Sequence, residues 1–107
     1  DVENVIVIAL NVRHRVIGHT VIATGSLACV AIMPREVFRY AVIANAHAII
    51  MMHNHPSGDP SPSEEDIRQT RQLAQAGKLL KVELLDHVIV GSGTNQHTSL
   101  REQGYMA

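Results

Sequence analysis

Residues 51–66, MMHNHPSGDPSPSEED, place three kinds of local structure next to one another. The apolar residues before His53 are typical of a buried strand. Three prolines and a glycine between residues 56 and 62 exclude regular structure there. Ser63 and the acidic residues after it are typical of a helix start. A strand that ends in two histidines, followed by a loop and a helix, indicates an α/β fold.

The rest of the chain extends this alternation. Apolar periodicity predicts strands at residues 2–10, 16–25, 28–33, 47–52 and 81–91, helices from Pro34 and over residues 63–80, and a short strand in the polar tail. The resulting order is β-β-β-α-β-α-β, which predicts an α/β sandwich around a mixed sheet. With 107 residues, one domain is expected to span the whole chain, 1–107.

Composition restricts the class of protein. Hydrophobic residues make up 46% of the chain and aromatics only 3%, so the core should be aliphatic. A net charge of −1 gives no global reason to bind nucleic acid. The single cysteine, Cys29, excludes an internal disulfide and favours a reducing compartment, so we expect a cytoplasmic protein. No apolar run reaches the roughly 20 residues of a membrane span.

His53 and His55 form the core of a candidate metal site. In an extended segment, residues i and i+2 point to the same side, so the two imidazoles can share one cation. The loop that follows is long enough to bring Asp66 back to them. Two histidines and a carboxylate are a common catalytic zinc set, and such a site lowers the pKa of bound water.

A purely structural interpretation stands beside this one. Ser63 and Asp66 have the spacing of a capping box, in which both residues satisfy the backbone of a helix N-terminus. His53 and His55 alone could be the polar end of a strand. The residues by themselves leave both interpretations open.

The spacing of these residues resembles that of a known family. The pattern H-x-H, seven residues, S, two residues, D is the JAMM motif of MPN-domain zinc metalloproteases. MPREVF, HNHPSGDPSPSEEDIRQTRQL and LLDHVIVG resemble the RadC family in particular. The resemblance implies a deaminase-like α/β/α sandwich, zinc held by His53, His55 and Asp66, and Ser63 assisting catalysis. It also implies that the chain is the C-terminal domain of a longer protein.

The resemblance calls for one further residue, a glutamate that acts as general base on an upstream strand. An alignment without gaps puts Thr20 at that position, and no acid lies between Glu3 and Glu36. His19 is a possible substitute base, because histidine is a residue type that can accept a proton near neutral pH. Strand alternation should, however, point its side chain to the face opposite that of Thr20. Glu36 is better explained as a first-turn acid of the helix after Pro34.

Three functions follow as hypotheses. The favoured one is a zinc metallopeptidase-like hydrolase that cleaves an amide or isopeptide bond of an unidentified peptide or protein. The second is a catalytically silent zinc-binding or protein-interaction module, in which Thr20 has replaced the base. The third, nucleic-acid binding, rests only on the association of the RadC family with DNA repair.

Two smaller expectations accompany them. Residues 28–33 could form an edge strand through which the protein dimerises or binds an extended peptide. His87 is expected in the core, paired with Asp86 or a backbone carbonyl, or else hydrogen-bonded towards the metal.

Overall fold

The computed structural model describes residues 2–25 and 32–106. Its elements are β1 (Glu3–Leu10), β2 (Val16–Gly25), α1 (Pro34–Ile43), β3 (Ala48–His55), α2 (Glu64–Leu80), β4 (Glu83–Gly91) and β5 (His97–Ser99). Apart from the third predicted strand, this order confirms the predicted alternation. The predicted strand at 28–33 falls mostly outside the described residues, and its last two residues, Ile32 and Met33, are not in a strand. None of the described helices is long and apolar enough to cross a membrane.

The strands form one mixed sheet in the order β2-β1-β3-β4-β5. β3 and β4 run parallel, and the other neighbouring pairs are antiparallel. A parallel pair needs a crossover connection, and α2 supplies it. The predicted α/β class with a mixed sheet is therefore confirmed.

One face of the sheet carries the core. Every second residue of β1 and β3 is buried on this face, where both helices pack. The cluster is aliphatic apart from one phenylalanine, and its members are Val5, Val7, Val37, Phe38, Ala41, Ile49, Met51, Leu73, Val82 and Leu84. Burying a side chain of this size contributes about 1.5–3 kcal/mol, which explains why a chain with few aromatics can hold this sheet together.

The same alternation carries the histidines of β3 onto this face. His53 follows Met51 by two residues and lies opposite Val5 of the antiparallel β1. Glu3 lies two residues before Val5, so it shares this face and the same end of the sheet. The strand register therefore brings a carboxylate from the beginning of β1 to the end of β3.

A tight turn brings the chain back over the end of β3. The His55 carbonyl oxygen accepts hydrogen bonds from the N–H groups of Gly58 and Ser92, both at 3.0 Å. Gly58 has a φ of 89°, which favours glycine. A side chain at Gly91 would overlap the Gly58 carbonyl, so the loop after His55 packs on β4 only because Gly91 has none.

Candidate metal centre

A pocket of about 320 Å³ opens where the beginning of β1, the end of β3 and the first turn of α2 meet. Its lining combines two histidines, three acids, a glutamine and a few small or apolar residues: Glu3, Val5, Ile32, His53, His55, Pro56, Ser57, Ser63, Glu65, Asp66 and Gln69. The volume falls within the range of small-molecule and active-site pockets.

The rings of His53 and His55 lie side by side, with centroids 4.8 Å apart. Their position on one face agrees with the expectation from their i, i+2 spacing. His55 donates a hydrogen bond from Nδ1 to the Asp59 carbonyl oxygen at 2.9 Å, which leaves Nε2 to face the pocket. His53 is only 3% exposed and also presents Nε2 to the pocket.

Asp66 joins the two histidines. Its Oδ1 lies 3.5 Å from His53 Nε2, and its Oδ2 lies 3.2 Å from His55 Nε2. Burial acts to raise the pKa of this carboxyl, but the hydrogen bond from the Ser63 N–H and the neighbouring histidines outweigh it, so the pKa is lowered. The side chain is therefore an anion near neutral pH.

The capping box predicted for Ser63 and Asp66 is also present. Asp66 N–H donates to Ser63 Oγ at 3.0 Å, and Ser63 N–H donates to Asp66 Oδ2 at 2.9 Å. The two interpretations of these residues are thus compatible. The cap holds the Asp66 carboxylate in the orientation in which it contacts both histidines.

Glu3 is the acid that the sequence reasoning missed. Its Oε1 lies 3.7 Å from His53 Nε2, and single ligand atoms of Glu3, His53 and His55 all lie within 4.8 Å of one another. Burial raises the pKa of the Glu3 carboxyl; the charge of His55 opposes this effect, and that of Asp66 adds to it.

Asn54, between the two histidines, fixes the backbone on either side of Glu3. Its Oδ1 accepts from the Asn4 N–H at 2.7 Å, and its Nδ2 donates to the Val2 carbonyl oxygen at 3.0 Å. Two backbone hydrogen bonds that flank one residue leave its position little freedom. The signal available in the sequence was the strand period, which puts Glu3 and Val5 on one face.

The structure does not bring Thr20 into this group. Thr20 lies opposite Val7 on β2, one strand further from β3, and is not among the pocket-lining residues. His19 pairs with Ile8 and so points to the opposite face, as expected from alternation. Glu36 is an exposed acid in the first turn of α1. Among the described residues that line the pocket, Glu3 is the acid that lies on an upstream strand, which is where the resemblance calls for the general base.

His53 is hydrogen-bonded, on the side of its ring that faces away from the pocket, to a series of buried side chains. His53 Nδ1 lies 2.7 Å from His87 Nε2, and His87 Nδ1 lies 2.6 Å from Thr70 Oγ1. Thr70 in turn donates to the Asp66 carbonyl oxygen at 2.7 Å. The ring of His87 is thus not paired with Asp86, whose carboxylate accepts from the His87 backbone N–H instead.

Burial keeps both of these histidines neutral. It lowers the pKa of His53 to about 4 and that of His87 to about 3, against an ordinary value of 6.5. Two imidazoles and two carboxylates directed at one point are donors that metal ions bind. The chemistry of this group, formed by His53, His55, Glu3 and Asp66, therefore fits a bound metal ion.

Comparison with known proteins identifies the family of the chain. The model of the family described as "RadC-like JAB domain" matches residues 1–105. A UPF0758 protein of Symbiobacterium thermophilum is 47% identical over 106 residues, which cover 99% of this chain and 44% of that protein.

Two further relatives carry the same name. A UPF0758 protein of Alkaliphilus metalliredigens is 53% identical over 97 residues, or 91% of this chain and 41% of the relative. One from Methanosarcina acetivorans is 42% identical over 104 residues, covering 97% and 44%. The chain spans less than half the length of these relatives. It belongs to the RadC-like JAB domain family.

Proposed function

We propose that this domain is a zinc-dependent hydrolase that cleaves amide or isopeptide bonds in a peptide or protein, with Glu3 as its general base. The observation that supports the proposal is the convergence of Glu3, His53, His55 and Asp66 on one open pocket. The pocket gives a substrate access to the group from the solvent side.

In this proposal His53, His55 and Asp66 hold the metal. Asp66 is the better third ligand because its carboxylate oxygens lie 3.2 and 3.5 Å from the two Nε2 atoms. Glu3 lies further away, at 3.7 Å from His53 Nε2. When bound by three protein ligands, zinc supplies a Lewis acid and lowers the pKa of a water molecule towards neutrality.

Glu3 has the properties of the proton carrier. Its carboxylate accepts a proton from the attacking water as the new C–O bond forms and the carbonyl oxygen becomes negatively charged. It then passes this proton to the nitrogen of the leaving amine as the C–N bond breaks and the C=O bond re-forms. A pKa raised by burial brings the carboxyl closer to the pH at which such transfers are efficient. The two Asn54 hydrogen bonds keep its backbone fixed during the transfer.

Ser63 has a second role at the rim of the pocket. Its Oγ accepts the Asp66 N–H, so its own hydroxyl proton is free to donate to another acceptor. A carbonyl oxygen of the scissile bond that becomes negatively charged is such an acceptor. Ser63 would therefore stabilise the oxyanion while continuing to cap α2.

The silent-module hypothesis depended on the absence of a base, and the position of Glu3 removes that reason. Nucleic-acid binding gains no support from the arginines of α2. Arg68 forms an ion pair with Glu65, and Arg71 donates to the Tyr105 carbonyl oxygen at 3.0 Å.

The test compares the wild type with Glu3→Gln, both loaded with zinc, on a library of peptides and isopeptide-linked peptides. We expect Glu3→Gln to keep one zinc per chain and to lose about 10²–10⁴-fold in turnover. Glu36→Gln, which changes an exposed acid of α1 that does not line the pocket, is the matched control and should match the wild type. Loss of zinc from Glu3→Gln would instead make Glu3 a ligand, and a zinc-loaded wild type without turnover would favour the silent module.

A further inference from the structure

We infer that Thr70 and His87 position His53 by fixing its tautomer, so that the proton lies on Nδ1 and the Nε2 lone pair faces the pocket. Neither residue touches the pocket, and both act through His53. The inference rests on the proposed function for the identity of the ion, while the tautomer itself is a property of the metal-free chain.

The direction of the proton chain follows from its last member. Thr70 has a single hydroxyl proton, and the Asp66 carbonyl oxygen can only accept it, at 2.7 Å. Towards His87 Nδ1, 2.6 Å away, Thr70 Oγ1 must therefore act as the acceptor. His87 consequently carries its proton on Nδ1.

The next link follows in the same way. A neutral His87 with a proton on Nδ1 has a bare Nε2, which can only accept. The atom 2.7 Å from it, His53 Nδ1, must then be the donor. The remaining nitrogen of His53, Nε2, is left without a proton, directed at Asp66 and Glu3. A bare nitrogen is the form in which histidine binds a metal.

Because Thr70, His87 and His53 are buried, their ring nitrogens and hydroxyl depend on these hydrogen bonds with one another. Thr70 and His87 are 0% exposed and His53 is 3% exposed, so bulk water cannot replace a missing partner. His55 obtains the same result from a backbone carbonyl, that of Asp59, which no substitution removes. The tautomer of His53 depends on two intervening side chains, Thr70 and His87, and is therefore open to mutation.

Both ends of the hydrogen-bond chain involve Asp66, the third proposed ligand. It starts at the main-chain oxygen of Asp66 and ends at the ring whose Nε2 faces the Asp66 carboxylate. The first turn of α2 and the end of β3 are thus coupled through Thr70 and His87. A displacement of α2 would change both the position of one ligand and the tautomer of another.

The first test uses metal-free protein at pH 7.5 and long-range ¹H–¹⁵N correlation spectra, which distinguish a protonated ring nitrogen from a bare one. The wild type should show His53 with the proton on Nδ1. In Thr70→Val the acceptor for His87 Nδ1 is lost, so His87 should move its proton to Nε2 and donate to His53. His53 should then carry its proton on Nε2. Thr70→Ser, which restores the hydroxyl, should restore the wild-type pattern.

The second test measures zinc affinity by competition with a chromophoric chelator. Thr70→Val should weaken binding by about 10–100-fold, the usual effect of losing a partner of a metal ligand, and Thr70→Ser should recover it. Leu73→Val, one turn further along the same buried face of α2, is the control for a general loss of stability. It should lower the unfolding temperature and leave the zinc affinity unchanged.

The outcomes separate this inference from the proposed function. A wild-type His53 with its proton on Nε2, or a Thr70→Val variant with wild-type spectra and affinity, would overturn the inference. Equal loss of zinc affinity in Leu73→Val and Thr70→Val would do the same, because it would make Thr70 a structural residue only. A wild type that has the expected tautomer but binds no zinc would support the positioning of His53 and contradict the hydrolase.

Discussion

The face of the sheet that packs against the helices is buried at both of its ends. The interactions that stabilise the two ends differ. At one end, the apolar end, Ala9 and Ile49 are paired across β1 and β3 and are both 0% exposed. Towards the other end, the polar end, His87 and Thr70 are also 0% exposed, yet they are polar and hydrogen-bonded to one another. The strands β1 and β3 run through both ends. Equal burial can therefore come from apolar transfer or from a closed polar network.

The two ends differ in what a substitution costs. Shortening an apolar side chain at one end leaves a cavity, whereas removing a hydrogen-bond partner at the other leaves a buried polar group unsatisfied. Among the described residues, no buried side-chain nitrogen or oxygen lacks a hydrogen-bond partner. The polar end is nevertheless open at the pocket, where Asp66 and the histidines face one another. A bound cation would complete that end and leave the apolar end unchanged.

The largest expected effect is the stabilisation of the polar end by zinc. Free zinc at about 1,000 times Kd should raise the free energy of unfolding by about 4 kcal/mol, because the ion binds the folded chain only. A chelator should reverse the gain. Chemical denaturation with and without zinc measures it.

Two variants sharpen this test. His55→Ala should abolish the gain, because His55 presents Nε2 to Asp66. His97→Ala, an exposed histidine of β5, should retain it. A gain that survives in His55→Ala would place the metal elsewhere.

Ile49→Ala tests the apolar end. Removing this buried side chain should cost about 3 kcal/mol of stability with or without zinc, through lost transfer energy and a cavity. Zinc affinity should not change, since Ile49 lies four residues before His53. Ile50→Ala, on the other face and only partly buried, is the matched control and should cost less. Loss of zinc affinity in Ile49→Ala would show that the two ends are not independent.

In the metal-free protein, acid should destabilise the polar end, which contains the buried histidines. Burial lowers the pKa of His53 to about 4 and that of His87 to about 3, from 6.5. Between pH 6.5 and pH 4 the unfolded chain therefore binds protons that the folded chain does not, and stability falls as the pH falls. At about 1.4 kcal/mol per pH unit and per ring, we expect each ring to contribute a loss on the order of 2–3 kcal/mol. Denaturation midpoints between pH 7.5 and 4 measure it.

The pH experiment is best done in a Glu3→Gln background. The raised pKa of Glu3 makes the free energy of unfolding rise as the pH falls, which opposes the effect of the two histidines. Glutamine at this position removes that contribution. His97→Gln, which removes an exposed histidine, should leave the acid transition where it is. A stability that stays flat from pH 6.5 to pH 4 would mean that His53 and His87 are not held neutral by burial.

Much of the fold was predictable because local patterns decide it. The run before His53, Pro34 at the first position of α1 and Ser63 as the cap of α2 all agree with the structure. The sheet order was not predictable, because it depends on which strands pair over long sequence distances. The parallel pairing of β3 with β4 is one such case.

The site was predictable where its residues are close in sequence and not where they are distant. His53, His55, Ser63 and Asp66 lie within one short segment, so their spacing indicated the group. Glu3 lies 50 positions before His53, and only the register of β1 against β3 brings the two together. The link from His87 to His53 similarly requires the parallel register.

Ser63 gives the smallest effect on stability and the sharpest test of a shared role. Ser63→Ala removes the acceptor of the Asp66 N–H and should cost about 1 kcal/mol, as for other helix caps. The Ser63 N–H to Asp66 Oδ2 bond uses the main chain, so Asp66 should stay in place and zinc should still bind. If the hydroxyl also stabilises the oxyanion, turnover should fall by about 10²–10³-fold. Ser61→Ala, two residues earlier in the loop, should change neither quantity. A Ser63→Ala variant that loses only stability would restrict Ser63 to the helix cap, and the proposed hydrolase would then rely on Glu3 and the three proposed ligands without it.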